Sequence, residues 1–216
     1  MEEKMRKGDE ITYKPLKEAS FSRIKRFMSD NHWEVTDKNG TKRIYGQNKS
    51  SCVGSGARTF TWNITKTEDV YGNSVVYEYE KDSGYVYPTF IYYTGFNGIK
   101  GNYKAQFHYD SDGLKKRQDV HIDARSREII SCKKLLTSIT THYKDEGYIR
   151  KYNFNYTEGL AKEKMLSSLL VSNNANETYE YTFDYTLPEK NNDGNTIYFA
   201  EAKEWNNGQP LQVGNS

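Results

Sequence analysis

The chain has 216 residues, and its 31 Lys and Arg nearly balance its 29 Asp and Glu, which gives a formal net charge of +2. This balance argues against a nucleic-acid-binding domain, because such domains carry a strong positive charge. No apolar run approaches the roughly 18 residues of a membrane-spanning helix. Aromatic residues make up 14% of the chain, including 19 Tyr. Because disordered chains are poor in aromatic residues, a folded, Tyr-rich protein is expected.

The N-terminus and the two cysteines say little about function. Residues 1–10 are charged and lack the apolar core of a Sec signal peptide. Cys52 and Cys132 are too few for a disulfide scaffold. Their spacing leaves open a single disulfide or two thiols.

Most of the chain alternates apolar and polar residues with a period of two, between clusters of Gly, Asn and Asp. Asn39-Gly40 predicts a tight hairpin in which both residues adopt positive φ. Pro88 lies inside a long extended run, so it predicts an edge strand, a bulge or a break. The predicted strands, in chain order, lie within residues 33–36, 41–45, 60–65, 75–80, 85–94, 103–109, 139–143, 148–156, 166–171 and 178–185.

Two segments have helical features. Residues 21–28 place apolar side chains at helical spacing, and residues 159–170 contain good helix formers that predict one or two helical turns before a strand. Elsewhere strand follows strand without intervening helices. The predicted fold class is therefore all-β, with antiparallel strands and hairpins in a curved sheet, a sandwich or a segment of a shell.

No group of residues has the spacing of a catalytic or metal site, and we predict neither, nor any cofactor. The Gly-rich segment 53–58 lacks the Lys-Ser/Thr of a phosphate-binding loop, so we interpret it as a linker between hairpins. Segments 110–113 and 191–195 resemble fragments of calcium loops without the closing Glu, and β-turns explain them better.

The tyrosines support one alternative function. Tyr77, Tyr79 and Tyr92 could form an aromatic platform for a glycan or a surface receptor, because a Tyr ring offers a stacking face and a hydroxyl. Tyr is also favoured on any half-buried strand. The alternative hypothesis is therefore a stand-alone surface or glycan-binding module that uses these three residues.

The order of the motifs resembles the SpvB-type N-terminal domain, the module of plasmid virulence protein SpvB and of the B component of bacterial Tc insecticidal toxin complexes, related to Rhs/YD-repeat shells. The resemblance covers roughly residues 18–188 and makes residues 21–28 a strand. The segments that carry it are 20–24, 33–41, 44–46, 60–73, 76–79, 92–95, 107–109, 118–120, 134–139, 152–156 and 167–169.

The resemblance implies a non-enzymatic scaffold in a secreted bacterial toxin or virulence protein. In the toxin complexes this region looks like part of a β-shell that encloses an effector, and a β-propeller normally follows it. The expected partners are other domains of the same polypeptide or toxin-complex subunits, with self-association through edge strands. The implied organisation is an N-terminal extension at 1–17, the β module at 18–188, and a tail or the start of a following module at 189–216.

Overall fold

The computed structural model of the protein describes residues 1–17, 21–110, 119–124, 128–159 and 162–186. These residues form seventeen strands and two short 3₁₀ helices, which confirms the all-β prediction. In chain order the elements are β1 (Glu2–Lys7), β2 (Glu10–Lys14), β3 (Arg23–Phe27), β4 (His32–Thr36), β5 (Lys42–Tyr45), η1 (Lys49–Ser51), β6 (Cys52–Val53), η2 (Gly56–Arg58), β7 (Thr61–Trp62), β8 (Ile64–Glu68), β9 (Asn73–Asp82), β10 (Tyr85–Phe96), β11 (Tyr103–Asp110), β12 (His121–Asp123), β13 (Ile130–Cys132), β14 (Leu135–Tyr143), β15 (Tyr148–Glu158), β16 (Lys164–Asn173) and β17 (Thr178–Thr182).

Thirteen of these strands form one antiparallel sheet in the order β1-β2-β3-β4-β5-β8-β9-β10-β11-β14-β15-β16-β17. The sheet is a meander, because each strand pairs with the next strand of the sheet along the chain. Two small two-stranded sheets, β6–β7 and β12–β13, are inserted between β5 and β8 and between β11 and β14. The segment predicted as an N-terminal extension contributes β1 and β2.

Each segment with helical features contains a strand and, among its described residues, no helix. The strand predicted at residues 166–171 is confirmed. Residues 23–27 form β3, which pairs with β2 on one side and β4 on the other, as the family resemblance predicted. Residues 164–173 form β16, paired with β15 and β17; residues 160 and 161 lie outside the described part. The helical reading of both segments was wrong, because pairing on both edges outweighs local helix propensity.

The hairpin predicted at Asn39-Gly40 forms, but with a different turn. Gly40 alone of the pair has positive φ, at 84°. The Asp37 carboxylate accepts the backbone N–H groups of Asn39 (2.9 Å) and Thr41 (3.1 Å). This is the pattern of a type I turn followed by one left-handed residue, which needs positive φ at a single position. The Asp69 and Asn173 side chains likewise accept the backbone N–H groups of the residues two and four positions later.

Pro88 lies in a central strand rather than at an edge. It pairs with Tyr79, and the register between β9 and β10 shifts between Pro88 and Phe90. Of the three alternatives predicted for this proline, the bulge is confirmed. The bulge lets a residue without an N–H group stand inside the sheet.

The register gives the sheet two chemically different faces, because paired residues of neighbouring strands point to the same side. We call one side the aromatic face; it includes Ile11, Trp33, Tyr45, Tyr77, Ile91, Phe107, Ile139, Tyr152, Val171 and Tyr179. We call the opposite side the polar face; it includes Lys25, Glu34, Lys66, Glu78, Gln106, Thr140 and Lys151.

The insertions cover only part of this sheet. The β6–β7 insertion lies over the aromatic face, where Lys81 Nζ donates to the Gly54 carbonyl at 2.7 Å. The β12–β13 insertion lies over the polar face, where backbone N–H groups of Lys133 and Lys134 donate to the Tyr87 hydroxyl. The buried hydrophobic residues among those described are Ile11, Cys52, Tyr87, Ile130 and Leu135. This is a small core for thirteen strands, so most of the aromatic face has no second layer within the described residues.

A histidine pair lies on the polar face where β11 meets β14. His108 Nε2 and His142 Nε2 both hydrogen-bond the Thr140 hydroxyl, at 2.8 and 2.9 Å, and Thr140 is 6% exposed. One hydroxyl has a single proton, so one ring accepts from it while the other donates to it. Burial, with smaller contributions from the charges of Lys151 and His142, lowers the pKa of His108.

We predict that three glycine substitutions distinguish the loss of stability caused by backbone strain from the loss caused by steric collision. Gly72 has φ of +88°, and a Cβ there would collide with the Asn97 side chain. Gly98 has φ of +80° in open space, and Gly147 has open space without positive φ. Chemical denaturation should show a loss of about 2 kcal/mol for Gly72→Ala, about 1 kcal/mol for Gly98→Ala and less than about 0.5 kcal/mol for Gly147→Ala. Equal losses for all three would contradict the described turn geometry.

We also predict that the protein loses stability as the pH falls below about 6.5. Because the pKa of His108 is lowered in the fold, the unfolded chain binds its proton more readily, and acid favours unfolding. Thermal melts from pH 7.5 to 5 should show His108→Gln losing about 2–4 °C less than the parent. His121→Gln, on the exposed surface of β12, is the control and should follow the parent curve. A parent-like slope for His108→Gln would refute the prediction.

Candidate functional site

The most unusual side chain in the described structure is Arg26, on β3. It pairs with Trp33 across the β3–β4 register and therefore points to the aromatic face. The β6–β7 insertion brings Trp62 against it. The guanidinium carbon lies 4.9 Å from the centre of the Trp33 ring and 4.6 Å from that of Trp62. Arg26 is only 8% exposed, so both cation–π contacts lie in a largely dry environment, where they are strongest.

Asn31 links this cation to both the sheet and the insertion. It follows β3 and has a positive φ of 54°, which Asn tolerates better than most residues. Its Oδ1 accepts from Arg26 Nη2, and its Nδ2 donates to the Thr59 hydroxyl at 2.9 Å. Its backbone carbonyl accepts from Trp62 Nε1 at 2.8 Å. Asn31 therefore fixes the turn between β3 and β4 to the insertion through two bonds, to Thr59 and Trp62, and to β3 through a third, to Arg26.

Arg26 has no carboxylate partner among the described residues, and its Nη1 is buried without a hydrogen-bond acceptor. Burial lowers the pKa of Arg26, with smaller opposing contributions from Tyr13 and Cys52. Arg nonetheless stays protonated in proteins. A buried charge without a counter-charge costs several kcal/mol relative to a paired one, as an order of magnitude. The site thus holds a positive charge that the described chain does not neutralise.

A cavity of about 1050 Å³ lies beside this cluster, between the β3–β4 turn and the β6–β7 insertion. Its size is that of a small-molecule site. Its charged lining is Lys49, Lys81 and Asp30, and His32 also lines it with a buried Nδ1 that lacks a partner. The remaining lining residues are Ser29, Asn31, Gly46, Gln47, Asn48, Ser50, Cys52, Gly54, Ser55, Gly56 and Thr59.

The Gly-rich segment interpreted as a linker takes part in this cavity. Gly54, Ser55 and Gly56 line it, and η2 begins at Gly56. Gly54 has φ of +84°, and a Cβ there would collide with the Arg58 carbonyl. The glycine is therefore required where the insertion folds back on itself.

Both cysteines are described, and no disulfide joins them. Cys52 is buried in the cavity wall with its Sγ 3.7 Å from the Gly46 carbonyl oxygen. Burial is the main cause that raises the pKa of Cys52. The thiol is thus held in its neutral form, which is unsuited to nucleophilic chemistry.

The structure divides the three tyrosines of the binding hypothesis between the two faces. Tyr77 pairs with Ile91 on the aromatic face, and Tyr79 lies on the same side. The Tyr79 hydroxyl donates to the Ile64 carbonyl at 2.6 Å, and burial raises its pKa to about 12. Tyr92 lies on the polar face, with Lys100 Nζ 3.5 Å from its ring centre. One flat platform therefore cannot contain all three side chains, and ligand binding by these residues stays a prediction.

Sequence reasoning missed Arg26, Asn31 and Trp62. One signal was present: Arg26 occupies a position on β3 whose period-two neighbour, Ile24, is apolar, so its side chain belongs to the inward face. The contact with Trp62, 36 residues away, depends on the fold of the insertion. Among the described residues no group of three or more His, Cys, Asp or Glu is placed to hold a metal ion. No helix in the described part is long and apolar enough to span a membrane.

Comparisons with known proteins found one family model and several solved structures that are similar to this chain. Residues 4–91 match the family model described as Salmonella virulence plasmid 65kDa B protein. No curated protein matches the chain in sequence. The N-terminal domain of effector protein SpvB from Salmonella typhimurium strain LT2 superposes with a TM-score of 0.63 at 15% identity, covering 81% of this chain and 69% of that one.

A complex of TcdB2, TccC3 and Cdc42 matches with a TM-score of 0.65 at 14% identity, covering 79% of this chain but only 11% of that one. TcdB2-TccC3 without its hypervariable C-terminal region gives the same values. The chain thus spans about a ninth of the toxin polypeptides it matches. In the sequence of residues 4–91 and in the fold of about four fifths of its length, the protein resembles the SpvB-type N-terminal domain.

Proposed function

We propose that this chain is a non-enzymatic wall segment of a secreted bacterial toxin or virulence protein, contributing to a β-shell that encloses or delivers an effector. The observation that carries the proposal is the two-faced sheet of thirteen strands, whose aromatic face is covered only in part by the chain's own insertions. A wall has one side against cargo or further protein and one side in water, and this sheet has that asymmetry.

Outside the area that the β12–β13 insertion covers, the polar face is suited to contact with water. Its ion pairs there include Lys25–Glu10 at 2.8 Å and Lys66–Glu68 at 2.6 Å. Exposed pairs of this kind contribute little to stability, about 0–1 kcal/mol each. They do make this side soluble and a poor surface for burial against another protein.

The aromatic face and its far edge are built to contact more polypeptide. On β17, Tyr179 is 62% exposed and Tyr181 is 50% exposed, and their rings lie 4.7 Å apart. Large exposed apolar patches mark interaction surfaces. Their partners in this proposal are other domains of the same polypeptide or subunits of a toxin complex. The SpvB N-terminal domain and the TcdB2-TccC3 complexes, which share this fold, support that assignment.

The proposed role is non-catalytic. One support is the Cys52 thiol in the cavity wall, because burial raises its pKa and leaves it unsuited to nucleophilic attack. The chemistry of the whole toxin would then belong to other domains.

The proposal predicts opposite accessibility for two neighbouring residues of β17. Tyr179 pairs with Val171 on the aromatic face, and Glu180 pairs with Leu170 on the other face. Tyr179→Cys and Glu180→Cys, each in a Cys132→Ser background, are to be labelled with a maleimide in the isolated chain and in the protein purified from its native source. Both should react in the isolated chain, and position 179 should react at least about tenfold more slowly in the native protein.

Glu180→Cys serves as the matched control, because it shares the strand and its exposure but lies on the opposite face. Unchanged labelling of position 179 in the native protein would refute the wall proposal. Slow labelling at both positions would also refute it, because a wall leaves its polar face in water.

A further inference from the structure

We propose that the outer edge of β17 binds a further β-strand, and that this strand belongs to a separate stretch of polypeptide with a basic residue between two β-branched apolar residues. The proposal rests on the proposed function, because it names the kind of polypeptide that the far edge of the sheet contacts. β17 is the last strand of the sheet in the described part of the chain. All five of its residues are exposed.

Backbone groups along the outer edge of β17 point away from the sheet. In antiparallel pairing, successive residues of a strand direct their N–H and C=O groups to opposite sides. The Phe183 N–H donates to the Ser167 carbonyl at 3.0 Å, so the odd-numbered residues of this segment bind β16. The N–H and C=O groups of Thr178, Glu180 and Thr182 therefore face outward, where an added strand can pair with them.

The two edge strands of the sheet differ in their protection against such pairing. β1 has charged residues at five of its six positions, and its register with β2 shifts between Glu3 and Met5. Charged side chains and bulges keep edge strands from pairing with other chains. β17, with the sequence Thr-Tyr-Glu-Tyr-Thr, has one charge, and its register with β16 has no shift. The sheet is thus protected at β1 and open to pairing at β17.

The side chains of β17 specify what the added strand carries on each face. Tyr179 and Tyr181, which are 62% and 50% exposed, lie on the aromatic face. Aromatic side chains pair favourably with β-branched side chains on a neighbouring strand. Glu180 lies between them on the polar face, where a Lys or Arg directly opposite would form a cross-strand ion pair. The complementary strand therefore alternates Val or Ile with a central Lys or Arg.

A second copy of the chain does not fit this edge. Antiparallel pairing of two β17 strands over their full length places Glu180 opposite Glu180 of the other copy. Like charges directly opposite each other destabilise a strand pair. Pairing of β17 with β1 of another copy would use the charged and bulged edge. A separate segment of polypeptide avoids both difficulties.

The test adds a synthetic peptide to the isotope-labelled full chain and follows the backbone amides of β17 by NMR. The peptide is acetyl-Ser-Thr-Val-Lys-Val-Thr-Ser-amide, which reads the same in both directions. We expect saturable chemical-shift changes and at least about tenfold slower hydrogen exchange at Thr178, Glu180 and Thr182. The amides of Tyr179 and Tyr181 already bind β16, so their exchange should change less.

Two changes assign the binding to the backbone and to Glu180. Methyl groups on the backbone nitrogens of the peptide's Thr, Lys and Thr remove its donors and should abolish binding. Replacing the peptide's Lys by Glu should weaken binding at least about threefold, and Glu180→Lys should reverse that preference. Because Glu180 is exposed, this variant should fold as the parent does. Glu146→Lys, the same change in the exposed turn between β14 and β15, is the matched control and should keep the parent's preference.

Three results with the peptides would overturn the proposal: no saturable shifts at the three outward amides, equal binding of the methylated peptide, or an unchanged preference in Glu180→Lys. Slow exchange of these amides in the chain alone would also overturn it. If that slow exchange increases with protein concentration, the occupant is a second copy; if it does not, the edge is already paired within the chain.

This result is separate from the test of the wall function. The labelling experiment follows the Tyr179 side chain in the native protein, whereas the peptide experiment follows backbone groups of the isolated chain. Slow labelling at position 179 without peptide binding would leave the wall function standing and remove the strand-binding edge. Peptide binding with unchanged labelling would do the reverse.

Discussion

A single antiparallel sheet can bury side chains only where another layer lies on its face, and this constraint governs the whole molecule. Thirteen strands in a meander give the eleven inner strands a paired neighbour on both sides, so local pairing holds the sheet together along its length. Pairing alone removes little apolar surface from water, however, and hydrophobic burial is the main favourable contribution to folding. The described chain compensates locally, with one small insertion on each face of the sheet.

The two insertions each add a second layer to part of the sheet, but they are held there by different interactions. The β12–β13 insertion lies over Tyr87, whose ring is 2% exposed and whose hydroxyl accepts two backbone N–H groups. The β6–β7 insertion lies over Arg26 and is fixed through Trp62 and Asn31. An aromatic residue with a satisfied polar end is a common anchor for a small layer. A buried guanidinium is an uncommon anchor, because burying its charge without a partner lowers the stability of the fold.

Much of this architecture could be predicted from the sequence, because the signals that specify it act between residues close together in the chain. Period-two alternation, Gly and Asx turns and Pro88 act within a few residues, and they predicted strands, hairpins and a bulge that the structure contains. The helical reading of residues 21–28 failed because two neighbouring strands, absent from any short window, supply the backbone partners of β3. The same limitation applies to Arg26 and Trp62. Their contact depends on how a 3₁₀-rich insertion folds back across the sheet, and no periodicity encodes that path.

The contacts that Arg26 makes with the insertion therefore do not by themselves explain why this position carries a charge. If the position served only to anchor the insertion, an apolar side chain packed against Trp33 and Trp62 would fill the space without the desolvation cost. The adjacent cavity is lined by two lysines, Lys49 and Lys81, and by one carboxylate, Asp30. A wall segment needs none of these features to hold its shape. Arg26 lies on β3, near one edge of the sheet, whereas the exposed Tyr179 and Tyr181 lie on β17 at the other edge. The costly buried charge is therefore separated from the surface that we propose contacts further protein.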